Sequence, residues 1–274
     1  MAQQDRPDIE AYLRRIGHSA GTAPTLETLD GILARHICSI PFENVSVLLG
    51  DPVALDLASV ERKLVRGRRG GYCFEQNGYL LAVLAAMGYR ARPLSARVRF
   101  QQPRQFVPPR THLFLEVEIG GERWMADVGV GGLSPGKALR MSDGGAQSTP
   151  WEERRLVAEG GRWYHQVRFA GEWNDLTDYT GEEMPAVDRE VANWWTSMSP
   201  ASKFRKDLSV AIAAPGGTRI TLQNREFTVR KRGEVAERRQ LASHGELVAV
   251  LAESFGIDVP RGAQIRAPGL DWST

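Results

Sequence analysis

The chain has little cysteine and no pattern of metal ligands. Only two of its 274 residues are cysteines, Cys38 and Cys73. Two cysteines are too few for a disulfide framework, and these two lack the close spacing of zinc ligands. We therefore predict no metal site and interpret Cys38 as a buried residue.

Long apolar runs and a strong net charge are also missing. The longest apolar run, within residues 80–89, is too short to span a bilayer, and the start of the chain, Met1 to Arg6, lacks the apolar core of a secretion signal. We expect a cytoplasmic protein that does not bind membranes. The formal net charge of +2 does not favour nucleic acid as a partner, and the local basic clusters lack interleaved aromatic residues.

The most informative stretch present is Arg-Gly-Gly-Tyr-Cys-Phe-Glu-Gln-Asn at residues 69–77. Apolar residues recur at helical spacing after it, and Gly88 follows them as a C-cap would. Cys73 is therefore predicted in the first turn of a helix, where free N–H groups and the helix dipole stabilise a thiolate. The alternative is a buried structural cysteine.

Two further residues complete a possible catalytic set in the order Cys, His, Asp. His112 opens a segment of alternating residues typical of a strand, and Asp127 ends the next one. Gly120-Gly121 between them is a hairpin signal, so the pairing should bring His112 within hydrogen-bond reach of Asp127. A thiolate would be the nucleophile, an imidazole would move the proton, and a carboxylate would orient the imidazole. Individually, His112 could be an ordinary strand residue and Asp127 a turn former.

The hydrophobic period divides the chain into three regions. Residues 1–90 favour helices, residues 91–200 favour short strands as in an antiparallel barrel followed by a connecting helix, and residues 201–274 favour a small α/β unit. Helices are expected over 9–16, 26–37, 57–65, 73–87, 190–197 and 243–255, and strands over 96–100, 112–119, 123–128, 154–158, 163–169, 208–212, 218–222 and 226–230.

The residues around these positions resemble the arylamine N-acetyltransferases. The resemblance runs through Ala11 to Gly17, Ile40 to Val45, Arg69 to Asn77, Thr111 to Leu113 and Asp127 to Gly129, with a looser match at Ser199 to Phe204. It implies an α+β multi-domain fold with an N-terminal helical bundle, a central antiparallel β-barrel and a C-terminal α/β lid. It also implies a cysteine-protease-like triad, with Cys73 carrying the acetyl group, His112 as base and Asp127 as its orienting partner.

Other residues receive roles from the resemblance or from their neighbourhood. Phe42, by resemblance, and Tyr72 are expected to line the acceptor pocket, although both could be core aromatics. Val130 stands where the family commonly has phenylalanine, which is expected to reshape that pocket.

The loop after Asp127 and the loop before Cys73 suggest two further roles. The sequence of residues 131–138 nearly matches a nucleotide-binding loop, but Ala138 lacks the hydroxyl that would bind Mg²⁺, so we do not predict nucleotide hydrolysis. The N–H groups of Gly129, Gly131 and Gly132 could instead approach the pyrophosphate of coenzyme A, or simply form a turn. Arg69 and Glu43 are expected to form a structural ion pair.

The predicted activity is acetyl transfer by double displacement. Acetyl-CoA, a co-substrate, would acetylate Cys73, and an arylamine, arylhydrazine or N-hydroxyarylamine would accept the group. Two alternatives use the same residues: an amide synthase of the same family that acts on a polyketide thioester, and a cysteine hydrolase or transglutaminase. The sequence leaves homo-oligomer formation open.

Overall fold

The computed structural model describes residues 6–272. The first part of the chain is helical and contains one minimal strand. Its helices are α1 (Ile9–Ile16), α2 (Leu26–Ser39), α3 (Val45–Leu49), α4 (Leu57–Glu61), which continues into a π-helical turn (Arg62–Arg66), and α5 (Cys73–Ala86); the strand is β1 (Phe42–Glu43). Apolar faces of α1, α2 and α5 share one core with residues of the following strands. Helix α5 is thus fixed between the helical region and the sheet that follows.

The middle of the chain forms an eight-stranded antiparallel sheet that curls into a nearly closed barrel. The strands run in the order β5-β4-β3-β2-β9-β8-β7-β6. Their bounds are β2 Arg90–Val98, β3 His112–Ile119, β4 Glu122–Ala126, β5 Leu139–Arg140, β6 Gln147–Ser148, β7 Glu153–Glu159, β8 Arg162–Phe169 and β9 Glu172–Tyr179. The Gln147 side chain joins the two edge strands, accepting from Arg140 N at 2.7 Å and donating to Arg140 O at 3.0 Å.

The end of the chain forms a five-stranded antiparallel sheet with helices beside it. Strands β10 (Ser209–Ala214), β11 (Thr218–Gln223), β12 (Glu226–Lys231) and β13 (Glu234–Gln240) follow α6 (Ala186–Met198) and α7 (Lys203–Lys206), and α8 (His244–Phe255) packs on the sheet. Strand β1 from the helical region is its fifth strand, with Phe42 opposite Ala211. The residues on either side of β1 are thereby tied to the last part of the chain.

The predicted helices and strands occur, with shifts at their ends. Strand β2 begins at Arg90, six residues before the predicted start at 96, because its first seven residues pair with β3 from Arg90 opposite Glu118 to Ala96 opposite His112. Only Arg97 and Val98 of β2 pair with β9, so Pro93 interrupts no regular ladder on that side. Helix α6 begins at Ala186 rather than 190. The elements that were not predicted are strands β1, β5, β6, β9 and β13 and helices α3 and α7. None of the helices within residues 6–272 is long and apolar enough to cross a membrane.

Candidate active site

The start of helix α5 is held by buried charged groups. Glu75, in the first turn, accepts a hydrogen bond from Tyr72 N at 3.0 Å through one carboxylate oxygen and from Lys63 Nζ at 2.6 Å through the other. Burial raises the pKa of Glu75, and the neighbouring carboxylates raise the pKa of Lys63 despite burial. The turn that carries Cys73 is therefore fixed from both sides.

The β3–β4 hairpin brings His112 and Asp127 together. Gly120 and Gly121 form its turn with φ of 62° and 80°, a conformation that favours glycine, and the register places Leu115 opposite Ala126. His112 Nε2 lies 2.7 Å from Asp127 Oδ2, and both side chains are only 2% exposed. This contact uses Nε2 and leaves Nδ1 as the second ring nitrogen available for proton transfer.

Cys73 lies beside the start of β3. Its Sγ contacts the carbonyl oxygen of Thr111, the residue before His112, at 3.5 Å. Burial disfavours a charged His112, but the Asp127 carboxylate and the interaction with Cys73 outweigh it and raise the pKa of His112 to about 10. Burial also disfavours a charged Asp127, but His112 and the hydrogen bonds to Asp127 hold its pKa below the usual value. The structure thus brings Cys73, His112 and Asp127 into one buried cluster that stabilises an imidazolium–carboxylate pair.

Asn77 is a member of this cluster to which the sequence analysis gave no role. Its Nδ2 donates to Asp127 Oδ1 at 2.9 Å and to Leu113 O at 2.7 Å, and its Oδ1 accepts from Val128 N at 3.0 Å. Asn77 comes four residues after Cys73, so both lie on the same face of α5. That spacing was a signal in the sequence that could have identified it.

The glycines after Asp127 occupy three different surroundings. Gly129 N donates to Asp127 Oδ1 at 2.9 Å, and a Cβ at Gly129 would lie 2.6 Å from Cys73 Cα. The Gly129 N–H therefore already forms a hydrogen bond within the protein. Gly131 lies against the ring of Phe42, whereas Gly132 lies against Thr221 of β11. The two half-buried glycines, Gly131 and Gly132, border the apolar surroundings of Cys73.

Aromatic side chains surround the cysteine. Cys73 packs in an apolar cluster with Tyr72, Phe74 and Leu113, against which half-buried Phe42 and Phe204 pack. Phe204 bridges the predicted pocket residues, with its ring centroid 5.9 Å from that of Phe42 and 5.4 Å from that of Tyr72.

The predicted pocket residues differ in how far they are buried. Tyr72 is buried, and its hydroxyl donates to Asn193 Oδ1 at 2.6 Å, which leaves Phe42 and Phe204 as the more accessible rings. Val130 lies half-buried in the loop after β4.

Arg69 and Glu43 are brought together under the cysteine loop. Arg69 Nη2 lies 2.8 Å from Glu43 Oε1, and Glu43 Oε2 accepts from Val45 N at 2.6 Å. Glu43 is fully buried, and the nearby cations Lys63 and Arg69 overcome the effect of burial and lower its pKa. The pair connects β1 with the loop before α5.

A second buried charged cluster, which was not predicted from the sequence, lies near His112 and Asp127. Glu152 accepts from Arg154 Nη2 at 3.0 Å and from Arg219 Nε at 2.7 Å. Arg154 Nη1 also contacts His165 Nε2 at 3.2 Å. Burial, reinforced by Arg154, lowers the pKa of His165 to about 3, so this histidine is neutral. Glu152, Arg154 and His165 are distant in sequence from Cys73, His112 and Asp127, and the fold of the barrel brings the two groups close together.

A cysteine at a helix start, beside a buried histidine–aspartate pair on a hairpin of the barrel, is an arrangement found in enzymes that use a thiol as nucleophile, acyltransferases and cysteine hydrolases alike. Residues 25–264 match the family model described as N-acetyltransferase. The chain is 39% identical to the arylamine N-acetyltransferase of Escherichia coli over 92% of this chain and 90% of that protein. It is 36% identical to the arylamine N-acetyltransferase / N-hydroxyarylamine O-acetyltransferase of Salmonella typhimurium, over 92% of this chain and 89% of that protein.

A solved structure shows the same fold. The arylamine N-acetyltransferase of Mycobacterium marinum in complex with CoA superposes with a TM-score of 0.87 at 36% identity, covering 91% of this chain and 93% of that one. The chain belongs to the arylamine N-acetyltransferase family, and the resemblance seen in its sequence motifs is confirmed.

Proposed function

We propose that the protein transfers an acetyl group from acetyl-CoA to an arylamine, arylhydrazine or N-hydroxyarylamine through an acetyl-cysteine intermediate. The observation that carries this proposal is the buried contact of 2.7 Å between His112 Nε2 and Asp127 Oδ2, with the Cys73 thiol beside the same histidine. A nucleophile, a proton carrier and an orienting carboxylate are the parts that a thiol-mediated double displacement requires.

The first half-reaction transfers the acetyl group to sulfur. The Cys73 thiolate attacks the thioester carbonyl of acetyl-CoA, a tetrahedral intermediate forms, and the bond to the sulfur of coenzyme A breaks. The departing thiolate takes a proton from the His112 imidazolium and leaves as free coenzyme A. The backbone N–H of Cys73 is our candidate for one donor to the oxyanion.

The second half-reaction returns sulfur to its starting state. The acceptor nitrogen or oxygen attacks the acetyl-cysteine carbonyl while His112 accepts its proton, and the Cys73 thiolate departs. An arylamine suits this step because its nitrogen is mostly unprotonated at neutral pH and can attack directly. The half-buried rings of Phe42 and Phe204 beside Cys73 supply an apolar surface for an aromatic acceptor, with Tyr72 behind them. Val130 is proposed to enlarge this pocket relative to a phenylalanine.

Coenzyme A is proposed to bind along the loop that contains Gly131 and Gly132. This loop borders the Cys73 cluster through Phe42 and the C-terminal sheet through Thr221. The relative from M. marinum has been solved with CoA, which supports this ligand. We propose that the C-terminal region, residues 201–274, acts as a lid over the same loop.

Intact-mass measurement after brief exposure to acetyl-CoA tests the proposal. We expect the wild-type protein to gain one acetyl group, and an added arylamine such as aniline to remove it with formation of the acetylated amine. Cys73→Ser is the variant that should gain nothing, and Cys38→Ser is the matched control that should be acetylated normally. Acetylation of Cys73→Ser, or an acetyl-enzyme that arylamines do not discharge, would overturn the proposed intermediate.

A further inference from the structure

Helix α6 carries its apolar residues on the side that faces away from the protein. Its buried residues are Ala192, Asn193, Thr196 and Ser197, which are small or polar. Four of its five large apolar residues are exposed, Val187 and Val191 by 63%, Trp194 by 64% and Met198 by 55%, whereas Trp195 is half-buried. At 3.6 residues per turn these four fall within one narrow stripe, directly opposite the buried face. We call them the α6 stripe.

The α6 stripe is separate from the candidate active site. The opposite face of the helix looks towards that site, because Asn193 accepts from the Tyr72 hydroxyl at 2.6 Å and donates to Val53 O at 2.9 Å. An acceptor in contact with Cys73 would therefore meet the buried face of α6, not the stripe. The stripe exposes roughly 400 Å² of apolar surface, within the range of about 300–600 Å² in which surface patches are often binding sites.

Acidic and basic residues lie beside opposite ends of the stripe. Exposed acidic residues, Asp188 and Glu190, flank its first half, and Arg189 between them is half-buried. The chain leaves the other end of the stripe into α7, where Lys206 is exposed and Lys203 pairs with Asp207 at 2.7 Å. A second α6 laid antiparallel across the stripe would place acidic ends against basic ends. The same two-fold arrangement places Val187 opposite Met198 and Val191 opposite Trp194.

We propose that the α6 stripe is the interface through which two copies of this chain form an antiparallel, two-fold symmetric dimer. A two-fold interface uses the same patch on both copies, and the stripe is complementary to itself in shape and in charge. The stripe supplies about half of the roughly 800 Å² per partner that stable interfaces bury, so the proposed dimer requires the residues around the stripe to be buried as well. An anionic lipid surface fits less well, because the acidic half of the helix would face the phosphates.

Sedimentation equilibrium across about 1 to 500 μM protein tests this proposal. We expect the mass to rise with concentration from the 30.4 kDa of one chain towards twice that value. Trp194→Glu should weaken the dimer at least about 30-fold, as expected for an aromatic residue at the centre of an interface. Val235→Glu is the control, because Val235 is also an exposed apolar residue, 49% exposed, but lies on β13. This variant should dimerise as strongly as the wild type. Circular dichroism checks that both variants are folded.

Charge reversal tests the antiparallel orientation. The variants Asp188→Lys/Glu190→Lys and Lys206→Glu should each dimerise more weakly than the wild type, and an equimolar mixture of the two should recover the dimer. A wild-type protein that stays monomeric across the concentration range would overturn the proposal. Binding of that monomer to phosphatidylserine vesicles, abolished by Trp194→Glu, would assign the stripe to membranes instead. A dimer that Trp194→Glu leaves intact would also overturn it.

Discussion

The protonation of His112 follows from two opposing effects on one ring. Burial favours the neutral imidazole, but Asp127 and Cys73 favour the imidazolium more strongly and raise the pKa of His112 to about 10. Because this value lies above the ordinary 6.5, the charged pair stabilises the fold fully below about pH 6.5 and loses that contribution as the pH rises through about 10. Across neutral pH the ring therefore holds a proton, which in the proposed mechanism passes to the departing coenzyme A thiolate.

Asp127→Asn should remove both the charge and the orientation of His112. We expect single-turnover acetylation to slow by about 10²- to 10⁴-fold, since the imidazolium loses its carboxylate partner. Histidine NMR of the labelled protein should show the His112 resonance titrating near pH 10 in the wild type and clearly lower in the variant. Asp258→Asn, at a 60% exposed carboxylate, should change neither measurement. Titration of wild-type His112 below pH 7 would contradict the assignment.

Gly129 holds α5 close to the hairpin, because a Cβ there would lie 2.6 Å from Cys73 Cα and 2.8 Å from Asn77 Nδ2. Gly129→Ala should therefore destabilise the protein by about 1–3 kcal/mol and lower the acetylation rate by displacing Cys73. Gly78→Ala is the matched control, since a Cβ at Gly78 within α5 meets nothing within 4 Å. It should stabilise the helix by about 0.5–1 kcal/mol. Urea unfolding compares the two, and equal midpoints would show that the close approach is unimportant.

The candidate site could be predicted from sequence where its parts are local. The Gly120-Gly121 turn fixes the register that places His112 near Asp127, so one hairpin was enough to predict their contact. Phe204 could not be placed beside Phe42 in the same way, because that contact depends on β1 pairing with β10 from the other end of the chain. In the glycine-rich loop, the hydrogen bond from Gly129 N to Asp127 could not be predicted from the motif.

The loop before α5 depends on an ion pair that joins it to β1. Arg69→Gln should destabilise the protein by about 3 kcal/mol, because Glu43 would remain fully buried without its main partner. The neighbouring Arg68→Gln should change stability by less than about 0.5 kcal/mol, since Arg68 is 64% exposed and lies 3.8 Å from Asp258. Thermal unfolding at neutral pH measures both. A small effect of Arg69→Gln would mean that Lys63 alone compensates for the charge of Glu43.

Helices and strands were predicted well where the apolar period is clean. Helix α1 has the predicted bounds, and α8 begins after Ser243, whose side chain accepts from Glu246 N. Strand β13 was missed because Glu234–Gln240 is an edge strand that is largely exposed and polar, so no apolar alternation marks it. The buried face of α6 consists of small or polar residues, which reverses the usual pattern. The covered side of that helix therefore could not be predicted from the sequence.

The barrel and the C-terminal sheet are joined by a buried carboxylate between two arginines. Glu152, just before β7, contacts Arg154 of β7 and Arg219 of β11. Those arginines donate to Leu133 O at 2.7 Å and to Ser134 O at 2.9 Å, which fixes the loop after Asp127. Trp151 adds a contact, with its Nε1 donating to Thr218 O at 3.1 Å. The position of the proposed coenzyme A loop thus depends on how two sheets are packed together.

Glu152→Gln should therefore weaken the packing of the barrel against the C-terminal sheet more than it disturbs any single helix or strand. Two buried arginines would lose their shared counter-charge, so we expect a loss of about 3–5 kcal/mol in unfolding free energy and a raised KM for acetyl-CoA. Glu153→Gln is the neighbouring control, in an exposed pair with Arg168, and should cost less than about 0.5 kcal/mol.

The pH dependence of stability distinguishes the loss of the Glu152 charge from a loss of side-chain packing. The two arginines outweigh burial and lower the pKa of Glu152, so its charge stabilises the fold above the ordinary value of 4.5 and that contribution disappears as the pH falls through the lower folded pKa. Urea unfolding from neutral pH down into that acidic range should show the wild type losing stability and approaching Glu152→Gln, whose deficit should shrink. A deficit that stays constant with pH would assign the effect to side-chain packing rather than to the charge that joins the two sheets.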